Sequence, residues 1–181
     1  EPLSLICFYC NDFRSHTAFL PILSTKKEAR GKGYAKLLIQ RMIADCREEH
    51  MVRICCDSIN PVAVSLYKSL GFVETARETT GTYTKVCLTH YPLQDCLLDF
   101  LIRIDSDFRP ALSRKVILSD YVRKIQDKAE LVMEWDGESL SGLVVLYCND
   151  TVSLTAYIAL VGVSSSYRGQ GIARRMIQSS I

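Results

Sequence analysis

The stretch Arg30-Gly31-Lys32-Gly33-Tyr34-Ala35 recurs later in the chain as Arg168-Gly169-Gln170-Gly171-Ile172-Ala173. In both places the glycines follow an apolar, strand-like run and precede residues with helical periodicity. Glycine permits the tight backbone turn that this order requires, so that N–H groups at the helix start face one point. Those donors and the helix dipole favour an anion such as a diphosphate. The sequence therefore predicts a phosphate-binding strand–turn–helix that is present twice.

The repetition extends beyond the glycines. Tyr9-Cys10-Asn11-Asp12 corresponds without a gap to Tyr147-Cys148-Asn149-Asp150, and Thr17-Ala18 corresponds to Thr155-Ala156. Hydrophobic periodicity does not explain identity at irregularly spaced polar positions. We therefore interpret the chain as an internal duplication.

The two copies are unequally complete. We expect one unit at residues 1–90 that lacks its N-terminal part, and a second at 91–181 that ends just after the helix following the glycines begins. Either the chain is a trimmed tandem protein, or the second copy supplies a front half to residues 44–90 in a permuted or swapped arrangement. Pairing of the strand at 52–57 with the second copy's strand, rather than the first copy's, would indicate the swap.

Periodicity predicts the other elements. One face of a helix is formed by residues spaced i, i+3, i+4, i+7 and i+11, namely Ala35, Leu38, Ile39, Met42 and Cys46. Pro61 can begin a second helix and Gly71 can end it. In the second copy an apolar helix face runs over 93–104, Ser119 is expected to cap the next helix, and Asp136-Gly137 predicts a hairpin turn.

Composition limits the classes of protein. The 181 residues carry a net charge of +2 without a block of like charges, which argues against a general nucleic-acid surface. Hydrophobic residues make up 48%, enough for a packed core, but no apolar run is long enough to span a membrane. Most of the eight cysteines lie in apolar segments, and none of the three histidines has zinc-site spacing, so we expect no metal and a cytoplasmic location.

The glycine turn differs from other phosphate binders, since it lacks the Lys-Ser/Thr of a P-loop and the third glycine of a Rossmann turn. Arg-x-x-Gly-x-Ala, at Arg30–Ala35 and Arg168–Ala173, instead resembles the pyrophosphate loop of the GNAT superfamily of N-acetyltransferases. Asn60-Pro-Val-Ala63-Val-Ser-Leu66-Tyr67-Lys-Ser-Leu70-Gly71-Phe72 resembles the second signature of that family, which is the more specific of the two.

The resemblance implies an α/β (α+β) fold, with a mixed, mostly antiparallel, splayed sheet flanked by helices and duplicated. It also implies acetyl-CoA as the acyl donor. The residues thereby expected to bind it are Leu23, Ser24, Thr25, Arg30, Gly31, Lys32, Gly33, Tyr34, Ala35 and Asn60 in the first copy, and Val161, Gly162, Val163, Arg168, Gly169, Gln170, Gly171, Ile172 and Ala173 in the second.

The resemblance also implies that Tyr67 is the general acid, because a phenol with a pKa near 10 keeps its proton at neutral pH. Taken alone, Tyr67 would be a packing residue and Asn60 a helix cap. No carboxylate lies on either strand before the glycines, and Cys55 stands where many family members carry glutamate, which leaves Asp57 as a candidate base. Pro21 predicts a bulge in the first of these strands.

These features favour an N-acetyltransferase that moves acetyl to a primary amine by direct attack. The acceptor is a small molecule (an aminoglycoside, amino sugar or polyamine) or a peptide amine. Asp105, Asp107, Phe108 and Arg109 lie where the family shapes its acceptor pocket, although a solvated loop explains them equally well. The alternative is a catalytically silent acyl-CoA-binding module. Neither nucleic acid nor membrane is an expected partner, and a homodimer is possible.

Overall fold

A computed structural model of the chain describes residues 1–150, 152 and 154–180. The side chain of Asn149, one of the repeated polar residues, lies outside this description. The chain divides into two compact units, Glu1–Leu93 and Gln94–Ile181. We call them unit 1 and unit 2, and each contains its own sheet. No helix in the described ranges is both long and apolar enough to cross a bilayer.

Unit 1 is a five-stranded sheet with two helices. The elements in chain order are β1 (Ser4–Asp12), β2 (Thr17–Thr25), α1 (Tyr34–Glu48), β3 (Arg53–Ser58), α2 (Pro61–Ser69), β4 (Val73–Thr80) and β5 (Tyr83–His90). The strand order is β1-β2-β3-β5-β4, in which only β2 and β3 are parallel. This mixed, mostly antiparallel sheet with flanking helices confirms the predicted fold class.

Strand β3 lies in the middle of the sheet of unit 1. It pairs with β2 along one edge and with β5 along the other, so both of its edges are occupied within the unit. The swapped arrangement required β3 to pair with the corresponding strand of the second copy. That arrangement is not formed.

The core of unit 1 lies between the sheet and its helices. The predicted face of α1 places Ile39, Met42 and Cys46 in this core, each no more than 1% exposed. They pack with Ala18 of β2 and Ile54 of β3 in one apolar cluster. Burial of this face fixes α1 on the sheet and so positions the glycine turn from which it starts.

The described residues of unit 2 form three strands and three α-helices: α3 (Gln94–Ile104), α4 (Leu118–Lys128), β6 (Glu130–Asp136), β7 (Ser139–Asp150), β8 (Thr155–Val163) and α5 (Ile172–Ser179). Its strands are antiparallel in the order β6-β7-β8. Gly137 has a φ of +58° and lies in the β6–β7 turn, which confirms the predicted hairpin.

The predicted cap at Ser119 is wrong. Helix α4 begins at Leu118 with Ile117 as its N-cap residue, so Ser119 already lies inside the first turn. Asp120 in that turn supplies the negative charge that a helix N-terminus favours, which reduces the need for a capping hydroxyl.

Helices lie on both faces of the unit 2 sheet. On one face, Ile172 and Met176 of α5 pack with Val144 and Leu146. On the other face, α3 comes so close to Gly162 that a Cβ added there would be 2.4 Å from Cδ1 of Ile104. Glycine at this position therefore lets α3 lie directly on β8.

The β1–β2 and β7–β8 hairpins share a bulge. In unit 1 the register shifts between the pairs Cys7–Ile22 and Tyr9–Phe19, which leaves one extra residue in β2 where Pro21 lies. This confirms the bulge predicted from Pro21. In unit 2 the shift leaves Ala159, the counterpart of Pro21, unopposed. Because both copies bulge here, proline is not the cause of the bulge.

Candidate active site

The glycine turn of unit 1 has the backbone conformation that its sequence predicts. Gly31 and Gly33 have φ values of +76° and +83°, and Gly33 is the N-cap residue of α1. No atom lies within 4 Å of a Cβ added to either glycine, so glycine is required by the backbone angle and not by lack of space. Since Gly33 has no side chain to cap α1, the N–H groups of the first turn remain directed into the loop.

The two loops share one further bond. Arg30 donates from Nε to the carbonyl oxygen of Thr25 at 3.3 Å, and Arg168 donates in the same way to Val163 at 3.1 Å. Gly171 is the N-cap residue of α5 with a φ of +74°, as Gly33 is for α1. The duplicated sequence therefore forms the same local structure twice.

A cavity of about 440 Å³ adjoins the loop of unit 1. Eight of the ten residues predicted to bind acetyl-CoA in the first copy line it: Leu23, Thr25, Arg30, Gly31, Gly33, Tyr34, Ala35 and Asn60. Ser24 and Lys32 are not among its lining residues. The fold thus brings the two sequence signatures, separated by α1 and β3, to one cavity.

Five lining residues were not predicted as site residues: Ala29, Lys36, Val62, Ala63 and Leu66. Ala63 and Leu66 belong to the second signature, and their spacing along α2 could have indicated that they share a face with Asn60. Lys36 lies in the first turn of α1 and adds a second cation beside Arg30. The wall nearest the loop is therefore basic, which suits a diphosphate.

Asn60 is both a helix cap and a cavity residue. Its Oδ1 accepts a hydrogen bond from the N–H of Val62 at 3.0 Å, at the start of α2, and Pro61 follows as the first helical residue. Its backbone N–H donates to Oγ of Ser58 at 3.1 Å. The prediction that Asn60 caps a helix is therefore confirmed. Its position on the cavity wall is compatible with a ligand contact as well.

Tyr67 lies on α2 one turn beyond Ala63, but it is not among the residues that line the cavity. Its side chain is 4% exposed, and its ring centroid is 5.4 Å from that of Phe72. Burial raises the pKa of Tyr67 to about 12, with smaller contributions from Cys56 and Asp57. The phenol is therefore protonated at neutral pH, as the resemblance to the acetyltransferases requires of an acid.

The candidate base, Asp57, is a surface residue of β3. Its side chain is 47% exposed and lies 4.0 Å from Nζ of Lys85. Cys55 lies on the same side of the strand, with its Sγ 3.8 Å from Oγ1 of Thr89. Within the described ranges no group of histidine, cysteine, aspartate and glutamate side chains could hold a metal ion.

Acidic side chains surround the glycine loop of unit 2. Arg168 forms an ion pair with Asp107. Arg175 bonds Oε1 of Glu134 at 2.7 Å and the carbonyl oxygen of Gln170 at 2.9 Å. Carboxylates therefore already neutralise two arginines at this loop, and Gln170 replaces the cation that Lys32 provides in unit 1.

The segment expected to shape the acceptor pocket is held by internal bonds. Asp105 accepts from the N–H and the Oγ of Ser113 at 2.8 and 2.7 Å, and these bonds lower the pKa of its carboxyl group. Asp107 is paired with Arg168. Both carboxylates thus have a structural role in unit 2.

These features define an α/β protein in which the glycine loop of unit 1 and the basic cavity wall beside it suit a diphosphate. A family model described as acetyltransferase (GNAT) family matches residues 1–72 and 98–181. The chain belongs to this family of acetyltransferases, and both copies contribute to the match.

Individual relatives are more distant. An uncharacterised N-acetyltransferase of Dictyostelium discoideum is 39% identical over 54 residues, which cover 29% of this chain and 25% of the relative. The crystal structure of the NatC complex bound to Gag peptide and CoA is 23% identical, with a TM-score of 0.46, over 50% of this chain and 61% of that one. The ribosomal-protein-S18-alanine N-acetyltransferase of Escherichia coli is 16% identical, with a TM-score of 0.44, over 49% and 61%. The chain thus spans a quarter of the Dictyostelium relative and about three fifths of each solved chain.

Proposed function

We propose that unit 1 binds acetyl-CoA in the 440 Å³ cavity and that the protein transfers the acetyl group to a primary amine. The observation that carries the proposal is the joining of the two signatures at this cavity. Backbone N–H groups of the Gly31–Gly33 turn and the N-terminus of α1 receive the diphosphate. Arg30 and Lys36 supply positive charge beside it.

The remaining lining residues divide the cavity by polarity. Leu23, Val62, Ala63 and Leu66 form an apolar wall between the loop and α2. Such a wall excludes water and suits the less polar arm of the donor, while Asn60 provides a polar contact. Because Ala63 precedes Tyr67 by one helical turn, α2 leads from the cavity towards the phenol.

Direct attack joins the amine nitrogen to the acetyl carbon while the carbon–sulfur bond of the donor breaks. Tyr67 donates its phenolic proton to the departing thiolate, and a base or water takes the proton that the amine loses. A phenol with a pKa of about 12 is a weak acid, so it can protonate the thiolate only where the pKa of the thiol is raised too. Desolvation in the site raises the pKa of the thiol in the same way as it raises the pKa of the phenol. Asp57, the only carboxylate in β3, is the candidate for this base.

A Tyr67→Phe substitution tests the acid role, since it keeps the ring that packs on Phe72 and removes only the hydroxyl. We expect kcat to fall roughly a hundredfold, with a smaller change in the affinity for acetyl-CoA. Thiol release is measured with a panel containing a polyamine, an amino sugar, an aminoglycoside and a peptide amine. Unchanged kcat on the best acceptor would disprove the role of Tyr67.

A second candidate function is a catalytically silent acyl-CoA-binding module. It is favoured by the burial of Tyr67 outside the cavity lining and by the exposed position of Asp57 beside Lys85. Calorimetric titration with acetyl-CoA separates the two functions. Saturable binding without thiol release for any amine would support the silent module, whereas absence of binding would contradict both candidates.

The second loop is a weaker candidate for the donor. Val161–Val163 and Arg168–Ala173 keep the loop conformation, but Asp107 and Glu134 place negative charge beside it. Coulomb repulsion from these carboxylates opposes a diphosphate. We therefore assign donor binding to unit 1.

A further inference from the structure

Two thiols of unit 1 lie in contact where α1 packs on β1. Cys10 is near the end of β1 and Cys46 is in the last turn of α1. Their sulfur atoms are 3.8 Å apart, with the Cys10 thiol donating to Cys46. Both are free cysteines that pack in the apolar cluster of unit 1. No step of the proposed acetyl transfer uses either of them.

The two faces of β1 determine which thiols can meet. Cys7 and Cys10 have the spacing of a Cys-x-x-Cys motif, but residues three apart on a strand point to opposite sides of the sheet. Ile6, Phe8 and Cys10 lie on the side of α1, so Cys7 is directed away from it. The partner of Cys10 is therefore the cysteine of the helix and not the cysteine nearest in sequence.

The two sulfur atoms are close enough to bond after a small movement. A disulfide requires about 2.0 Å between them, so closure brings them together by about 1.8 Å. Cys10 is only partly buried, whereas Cys46 is 0% exposed. An oxidant therefore reaches Cys10 first, and Cys46 reacts with the sulfur of Cys10.

Access to the position of Cys10 is found in both copies. Its counterpart, Cys148, is exposed near the end of β7. In the described residues the pairing of β6 with β7 ends at Leu146, two residues before Cys148. A strand that adjoins the hairpin as β6 does therefore leaves this position open to solvent.

We propose that Cys10 and Cys46 are a redox-sensitive pair, which hydrogen peroxide converts to a disulfide that locks α1 to β1. In the first step the Cys10 sulfur attacks a peroxide oxygen, the O–O bond breaks, and Cys10 becomes a sulfenic acid as one water leaves. In the second step the Cys46 sulfur attacks that sulfur, the S–O bond breaks, and a second water leaves with the Cys46 proton. The two thiols lose two electrons and two protons, which reduce the peroxide to water.

Burial makes the first step slow. It raises the pKa of the Cys10 thiol and outweighs the hydrogen bond with Cys46, which lowers that pKa. The carboxylates of Glu49 and Asp45 add to the rise. Because the thiolate is the reactive form, little of the reactive form of Cys10 is present at neutral pH. The pair therefore responds to prolonged exposure, and its oxidation becomes faster as the pH rises.

The disulfide acts on the helix that begins at the glycine turn. It closes residues 10–46 into a loop, which lowers the conformational entropy of the unfolded chain. Cys46 lies at the end of α1 opposite to Gly33, so the bond holds the helix on the sheet without altering the turn. Oxidation should therefore slow the opening of unit 1.

Peptide mapping of the full chain tests which thiols are joined. The chain is treated with hydrogen peroxide, alkylated and digested with trypsin, which releases Cys46 in peptide 42–47 and both Cys7 and Cys10 in peptide 1–14. We expect these two peptides to be linked after oxidation and separated by dithiothreitol. Cys7→Ser is the matched control, because it alters the same peptide on the opposite face of β1. It should keep the link, whereas Cys10→Ser should abolish it.

The order of the two steps has its own signature. In Cys46→Ser the sulfenic acid of Cys10 lacks its partner, so dimedone, which reacts with sulfenic acids, should label Cys10 roughly tenfold more than in the unaltered chain. In Cys10→Ser the buried Cys46 should remain a thiol. Hydrogen exchange followed by mass spectrometry measures the effect on α1, whose amides should exchange roughly tenfold more slowly in the oxidised chain.

The proposal fails on any of three results. The first is an unlinked peptide 42–47 after prolonged oxidation at about pH 9. The second is a link that Cys7→Ser abolishes and Cys10→Ser does not. The third is unchanged exchange of α1 in the oxidised chain, since the disulfide would then have no effect on the helix. Circular dichroism verifies the folding of each variant, and Cys10→Ser decides the outcome if the buried Cys46→Ser does not fold.

Discussion

Arg30 and Thr25 are joined by a hydrogen bond from the guanidinium Nε to the carbonyl oxygen, at 3.3 Å, which ties the glycine loop to the end of β2. The equivalent bond in unit 2 joins Arg168 to Val163. Arginine therefore has two roles in this loop, since it fixes the turn through Nε and keeps its charge beside the cavity. Lysine could supply the charge but has no planar guanidinium to make the second contact.

Gly33 and Gly171 allow the two loops to be compared directly. Alanine at either position is forced to a positive φ, which costs about 1–2 kcal/mol in the folded state. We expect Gly33→Ala to weaken acetyl-CoA binding by roughly tenfold, because relief of this strain moves the N–H donors. Gly171→Ala should leave the affinity unchanged, as measured by isothermal titration calorimetry. Equal losses in the two variants would argue against assigning the donor to unit 1.

Burial of Tyr67 predicts a loss of stability in alkali. Its pKa is raised from about 10 in the unfolded chain to about 12 in the folded one, so the folded state holds the proton more tightly. The resulting stabilisation, roughly 2–3 kcal/mol, is complete below about pH 10 and disappears as the pH rises through 12. Urea unfolding between about pH 9 and 11.5 should therefore show a smaller decline for Tyr67→Phe than for the unaltered chain. Tyr83→Phe, at a residue that is 52% exposed, should decline as the unaltered chain does.

Substitution of Asn60 can separate its two roles. Asn60→Ala removes the bond to the Val62 N–H and should lower the free energy of unfolding by about 1 kcal/mol. Asn60→Ser retains a capping oxygen, so its stability should stay within about 0.5 kcal/mol of the original, while its shorter side chain weakens acetyl-CoA binding. Chemical unfolding and calorimetry measure the two effects. Unchanged affinity in the serine variant would reduce Asn60 to a helix cap.

The shared bulge predicts that Pro21 and Ala159 are interchangeable. Pro21→Ala and Ala159→Pro should each change the free energy of unfolding by less than about 0.5 kcal/mol, because neither replaces a residue that the register pairs with β1 or β7. Phe19→Pro is the control. Phe19 pairs with Tyr9 and Cys55, so proline there should cost about 3 kcal/mol or more. Thermal unfolding that found Ala159→Pro as damaging as the control would be inconsistent with the bulge.

Much of the fold could be predicted because several sequence signals agree at each element. The apolar spacing of Ile39, Met42 and Cys46 predicts the buried face of α1, and Pro61 predicts the first turn of α2. Ser119 was misassigned because a hydroxyl before an apolar run satisfies the same pattern at the N-cap position and inside the first turn. Local sequence does not distinguish those two positions.

The candidate site was predictable in its loops and less so in its walls. Backbone requirements leave a clear trace in sequence, as the positive φ values of Gly31 and Gly33 illustrate. The apolar wall residue Val62 leaves none, because aliphatic residues line cavities and cores alike. The burial of Tyr67 could not be predicted from the sequence either, because it depends on how Phe72 and Cys56 pack around the ring.

The bulge leaves one residue of each hairpin without a partner in the neighbouring strand, and this has a consequence for how the two copies diverged. A residue that is not paired with the neighbouring strand does not need its backbone N–H as a donor. Mutation of such a residue to proline, which lacks that N–H, therefore breaks no hydrogen bond of the ladder. Proline in one copy and alanine in the other record that freedom, and substitutions between the duplicates can accumulate here sooner than one residue to either side.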